Sequence, residues 1–302
     1  MKKAWTVLAV GVALGMLVLA GCSKDESNPA SSNDTDQSAL SALMTDDSDL
    51  EAVNSWAGDD GDGGPSPLDS AVTPINWFRT GRRSRANVTV DIQGDTLATI
   101  TRTATYNGTI RVVIDTAGGV RTVISKPMAN TLTRKAHARR VGHGNRPREN
   151  WRIYEVTPEV LLSSAPNSNT VRPVHVQFYS AGEFVPTLIA DITDPLNTWF
   201  RRDSLPEIRQ GGVLEVSVTP NVTDTVAAFL HPHVWREARM HRQPMGRATD
   251  SSNTYWATFD VGQRLGVHMT APDLLSRATL YTSDGAYDAG SWAIPYRVVA
   301  AQ

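Results

Sequence analysis

The sequence predicts an all-β protein: two consecutive β-sandwich domains, residues 73–194 and 195–302, behind a disordered acidic tether. Three observations carry that expectation. From residue 87 onward, short segments alternate apolar and polar residues, the period of strands with one buried face. Gly, Asn, Asp and Pro punctuate those segments at close spacing. Hardly any window of the body sustains a helical period, and strands so spaced build sandwiches or barrels rather than βαβ units.

Residues 1–21 open with Lys2 and Lys3, continue through an apolar run from Trp5 to Leu19, and end in small residues. This is the pattern of an export signal. The run of about 15 residues falls short of the roughly 20 that span a bilayer. Leu19-Ala20-Gly21-Cys22 resembles the lipobox of bacterial lipoproteins, and Cys22 is the only cysteine in the chain. The resemblance implies cleavage before Cys22, lipidation of that residue, and anchoring to a membrane of the bacterial cell envelope. Ser23, standing where an aspartate signals inner-membrane retention, implies the outer membrane if the organism has one. With its cysteine used by the anchor, the mature chain has no disulfide and must rely on a packed core.

Residues 22–72 are rich in Ser, Asp, Asn and Gly, a composition that buries too little surface to fold by itself. The first 72 residues hold 3 Lys or Arg and 12 Asp or Glu, out of 29 and 31 in the chain. That leaves 26 basic and 19 acidic residues, so the body sits near +7 while the whole sums to −2. Within the tether, Leu40, Leu43, Met44, Leu50, Val53 and Trp56 fall close to helical spacing. They make either a short acidic helix that docks on the basic body or on a partner, or a transient helix in a linker. "DDGDGG" (59–64) lacks the later ligands of a calcium loop and reads as linker.

In the body, "NVTVDIQG", "DTLATITRTAT", "NGTIRVVIDT" and "GGVRTVISK" read as successive strands, with Asn107-Gly108 as a hairpin turn. The domain boundary falls near Asp194-Pro195. The part that follows resembles an immunoglobulin-like or fibronectin type III-like sandwich in its pattern of short strands. "NWFR" (76–79) and "NTWFR" (197–201) echo each other near the two domain starts, their aromatics reading as core or packing residues.

Two stretches carry candidate chemistry. "TRKAHARRVGHGNRPRENWR" (133–152) holds seven Lys or Arg, and "RTGRRSR" (79–85) adds more. Meeting as loops, they would form an anion-binding surface through Arg82, Arg83, Arg139, Arg140, Arg146 and Arg148. The plain alternative is solvated loops neutralised by the chain's own acidic tether.

The second stretch is "LHPHVWRE" (230–237), placing His231 and His233 on one strand face about 6.6 Å apart. With Glu237 it resembles the first metal motif of cupins. That resemblance implies zinc or another divalent ion on His231, His233 and either Glu237 or His241. Thr249 stands where the second cupin motif has a histidine, and Thr225 and Pro244 replace flanking glycines. A strand end whose histidines face solvent or a neighbouring domain is the alternative.

Asp284 and Asp288 sit in a glycine-flanked loop, as calcium ligands, as a glycosidase-like carboxylate pair, or as turn residues. No G-x-S-x-G, H-E-x-x-H, P-loop or G-x-G-x-x-G occurs, and the lone cysteine is the lipid site. These readings point to an envelope lipoprotein acting as a non-catalytic binding or assembly module for an anionic polymer or protein partner. Export argues against nucleic acid as a partner. A metal-dependent enzyme or metal carrier built on the His231/His233 cluster, and a structural spacer, are the alternatives.

Overall fold

The computed structural model describes residues 32–46, 73–116, 120–181, 185–223, 226–232, 242–250 and 252–301. The export signal, Cys22, most of the tether, His233, Glu237 and His241 lie outside these residues.

Helix α1 (Ser32–Asp46) comes first, followed by β1 (Thr73–Arg83), β2 (Asn87–Gln93), β3 (Leu97–Thr116) and β4 (Val120–Arg140). A 3-10 turn (Pro147–Asn150) leads into β5 (Trp151–Val156) and β6 (Glu159–Ser163). Next come β7 (Pro173–Ala181), β8 (Thr187–Ile192), β9 (Phe200–Arg201), β10 (Glu207–Arg209), β11 (Val213–Pro220) and β12 (Ala227–His231). The chain closes with β13 (Gln243–Pro244), β14 (Gly246–Arg247), β15 (Tyr255–Asp260), β16 (Gly266–Leu275), the short helix α2 (Arg277–Tyr281) and β17 (Ala289–Val299).

The expected all-β class is observed, as two sheets in a sandwich-like arrangement. A large sheet runs β1-β3-β4-β6-β17-β16-β12-β13, with β2, β5, β9 and β10 paired off this path. A small sheet runs β14-β15-β11-β7-β8 and packs on it. Both sheets draw strands from either side of residues 194 and 195. In the large sheet β6 pairs with β17 and β5 with β9, and in the small sheet β7 pairs with β11. Backbone hydrogen bonds therefore knit together the two segments that the sequence reading set apart.

The large sheet is strongly curled, and one ion pair shows how strongly. Along the ladder, β1 and β16 are five strand spacings apart, roughly 24 Å in a flat sheet. Yet Arg79 of β1 bonds Asp273 of β16 through both guanidinium nitrogens, at 2.7 and 3.1 Å. Trp77 likewise meets Phe229 of β12 edge to face, with ring centres 5.1 Å apart.

Within the curl, Gly81 and Gly108 pair directly. A Cβ on Gly108 would lie 1.9 Å from the Thr80 carbonyl oxygen, so only glycine allows this approach. Asn107-Gly108, expected as a hairpin turn, therefore lies inside the continuous strand β3. Its glycine admits the close approach of β1 rather than reversing the chain.

Curling creates two cores. One lies between the sheets, where Trp292, Ile294 and Leu230 meet Val176, Phe178, Leu214 and Val216. The other fills the inside of the curl with Trp77, Tyr106, Ile110, Leu132, Phe229 and Tyr287. β12 separates the two, and all five of its residues are buried. The face carrying Phe229 and His231, expected to look outward, looks into the second core instead.

Helix α2 also contributes Leu280 and Tyr281 to the second core. The Lys126 ammonium donates to the carbonyls of Ala278, Thr279 and Thr282, each at 2.7 Å. Burial lowers Lys126 to about 8 against the pull of Asp284, so it keeps its charge at neutral pH.

Of the two tether alternatives, the docked helix is observed. Leu40 of α1 is fully buried, and Met44 joins it against Ala98, Ile100, Ala136 and Ile153. A 15-residue helix of this composition is marginal alone, so packing maintains it. Leu40→Ala should cost about 2–5 kcal/mol of stability, read as a lower urea midpoint.

Burial pushes the Asp273 carboxyl up, but Arg79 and His231 outweigh it and hold it below the usual carboxylate range. Asp273→Asn, which strands Arg79 in the core, should cost about 3–5 kcal/mol at neutral pH. A depressed folded-state pKa contributes stability above the unfolded value, near 4, and loses it as pH falls further. The gap between wild type and Asp273→Asn should therefore narrow below about pH 4 in parallel denaturation series.

Candidate functional site

The most concentrated exposed charge lies where β4 and β5 pair. Alternation turns Ala136 and Ala138 into the core and His137 and Arg139 outward. Register then sets Arg139 directly opposite Arg152, and His137 opposite Glu155. Both arginines are exposed, and neither is ion-paired among the described residues. Like charges placed directly across a strand pair repel, so the pairing costs stability unless a counter-charge lies nearby.

The pair opens onto a groove of about 970 Å³. Its walls are the end of α1, the 3-10 turn, β5, the residues around β9, and the facing ends of β16 and β17. Six arginines line it: Arg139, Arg148, Arg152, Arg201, Arg202 and Arg297. Asp46, Glu155 and Asp203 stand among them, and among the described residues no lysine does.

Arg201 forks onto Asp203 at 3.1 and 2.8 Å, and that bond holds the Asp203 carboxyl below its usual range. Arg297 donates to the backbone carbonyls of Arg202 and Asp203. Beside the groove, His137 bonds Glu155 at 3.0 Å and stacks on Trp199 with ring centres 3.5 Å apart. Tyr154 lies beyond His137, 6.1 Å away, with the Arg139 guanidinium 5.7 Å from its own ring.

Helix α1 closes one side with carboxylates. Asp36, buried, accepts from Arg140 and from the Trp151 indole N–H at 3.0 Å. The Arg140 guanidinium stacks over Trp151, 4.6 Å from the ring centre. Asp46, at the helix end, pairs with Arg148, and both are about half exposed.

Of the six arginines expected to bind anions, Arg139 and Arg148 line the groove and Arg140 braces its wall. Arg146 is committed to Glu149 on the surface. Arg82 and Arg83 lie elsewhere: Arg82 pairs with Asn107 and Arg139 with Leu97, ten residues apart along β3, or roughly 33 Å. The two basic stretches thus form no single surface. Nor is 133–152 all loop, since Thr133–Arg140 completes β4. Arg152, Arg201, Arg202 and Arg297 join the site unpredicted, although Arg152 lies inside the quoted basic stretch.

Of the remaining candidates, His231 and Asp288 have structural roles, while His233, Glu237 and His241 lie outside the described residues. His231 is 1% exposed, with Nε2 3.2 Å from Asp273 Oδ2, so it serves the buried ion pair. Among the described residues no three His, Cys, Asp or Glu cluster as metal ligands. The Asp288 carboxylate accepts from Ser163 Oγ, from Thr170 N and Oγ1, and from Val171 N, anchoring the 163–171 loop. Glu159 lies in the core near Arg134, Arg102 and Arg83, where burial pushes its carboxyl up against their attraction.

No family model, curated protein or solved structure matches this chain. Among the described residues no helix is long and apolar enough to cross a membrane.

The two helix anchors should separate by burial. Asp36→Ala leaves Arg140 and Trp151 short of an acceptor and should lower stability by about 1–3 kcal/mol. Asp46→Ala removes a half-exposed pair and should cost under about 1 kcal/mol, fading in high salt. Urea melts at two ionic strengths check both.

Proposed function

We propose that this chain is a lipid-anchored envelope protein that binds an anionic polymer, or a partner displaying one, without catalysing a reaction on it. The observation that carries this reading is the Arg139–Arg152 pair, exposed and directly opposed on the groove wall. Arginine forks bind phosphate, sulfate or carboxylate in a bidentate manner, which suits recognition more than turnover.

Anchoring rests on Leu19-Ala20-Gly21-Cys22. With α1 docked, nine residues lie between Cys22 and Ser32, a leash of at most about 35 Å over ten Cα–Cα steps. The docked helix thereby holds the groove close to the anchoring membrane. Loosening α1 would pass control of the reach to the longer segment up to β1.

The test uses the whole chain in detergent micelles, retained on an immobilised polyanion. Arg139→Gln with Arg152→Gln should weaken retention by about tenfold or more and flatten its salt dependence. Equal retention by both proteins would remove the binding reading. For the anchor, Cys22→Ser should move the protein from the membrane pellet to the soluble fraction.

A further inference from the structure

We infer that the groove's ligand is an acidic saccharide chain, its sugar rings carrying carboxylate, sulfate or phosphate groups at intervals; this rests on the anion-binding reading above. Two features of the site select that chemistry over a uniformly charged polymer.

The first is the mixture of charge. Asp46, Glu155 and Asp203 stand between the groove's arginines. A polymer charged at every unit would bring anions against these carboxylates wherever it met the guanidinia of Arg139 and Arg152. A chain whose anionic groups are spaced by hydroxyl-bearing units avoids that repulsion. Its hydroxyls donate to the same carboxylates, as water otherwise would.

The second is the row of flat rings along one side of the arginines. Tyr154 lines the groove, and the parallel His137–Trp199 stack continues from it, at 27° and 14° between successive planes. All three rings are partly exposed rather than sunk in either core. Hydrogen bonding to Glu155 fixes the plane of His137, the Arg202 N–H donates to the Tyr154 carbonyl, and Phe200, the neighbour of Trp199, pairs with Val156. The stack braces Tyr154, whose partly exposed ring on the groove wall can meet the apolar face of a sugar ring while polar groups bond its edge.

The experiment measures calorimetric affinity of the whole chain in detergent micelles at fixed ionic strength. Ligands are a uronic-acid glycan, a sulfated glycan, a neutral glycan, and inorganic polyphosphate of matched total charge. Either acidic glycan should bind about tenfold or more tighter than polyphosphate, and the neutral glycan should bind weakest. Tyr154→Leu should weaken the acidic glycans by about fivefold while leaving polyphosphate unchanged, and Tyr154→Phe, which keeps the ring, should restore them.

Equal binding of polyphosphate and acidic glycans, with no effect of Tyr154→Leu, overturns the saccharide inference but leaves the anion groove standing. A single-stranded nucleic acid that outcompetes both glycans overturns it as well. Failure of every anionic probe to bind overturns both readings together. Thermal melts of each variant separate lost binding from lost folding.

Discussion

The buried pair between Arg79 and Asp273 is the constraint around which this fold is organised. Its partners are 194 residues apart and join the first strand of the large sheet to one near its other end. Taking two charges out of water is expensive unless geometry and further bonds compensate. Here the guanidinium is held by two bonds and the carboxylate also meets His231. Trp77 flanks the pair: the Arg242 guanidinium lies 3.8 Å above its ring, and Phe229 meets its edge. A pair so placed rules out a flat sheet, because only the curl brings β1 to β16. It thereby creates the interior that the second core fills.

Curling also decides what remains for function. Once β12, β16 and β17 lie between two cores, nearly all their side chains are committed to packing. Exposed charge is left to the margin, where β9 pairs with only the Glu155–Val156 end of β5. There α1 supplies apolar side chains and carboxylates together. Leu40 and Met44 join the core between the sheets as α1 packs on β2, β3, β5 and the 3-10 turn, while Asp36 and Asp46 meet Arg140 and Arg148. The acidic tether and basic body are thus partly neutralised against each other, and Arg139 and Arg152 stay exposed beside that contact.

Much of this was legible in the chain, and the misses share a cause. Ala136 and Ala138 alternate with charged neighbours, a strand pattern hidden because alanine is small and the arginines dominate the eye. Asn107-Gly108 suggests a turn in any local reading, since only the close approach of β1 reveals why glycine stands there. The helical spacing of Leu40, Leu43 and Met44 was visible, but whether the helix docks depends on a surface more than fifty residues downstream. Arg201 and Arg202 sat unremarked beside an aromatic echo, and they join the groove because β9 pairs with β5.

The sequence by itself determined the strand-rich class, the opposed charges of tether and body, the lipobox pattern at Cys22, and the capacity of 32–46 to form a helix. These are properties of local pattern and composition, and neighbouring residues suffice to express them. Tertiary structure alone decided that Arg79 is buried and Arg139 exposed, that His231 serves an ion pair, and that strands from both halves share two sheets. Charge and hydrogen-bonding capacity belong to a residue, but what they do depends on the neighbour that folding brings beside them. Partners separated by a hundred residues or more leave no periodic trace.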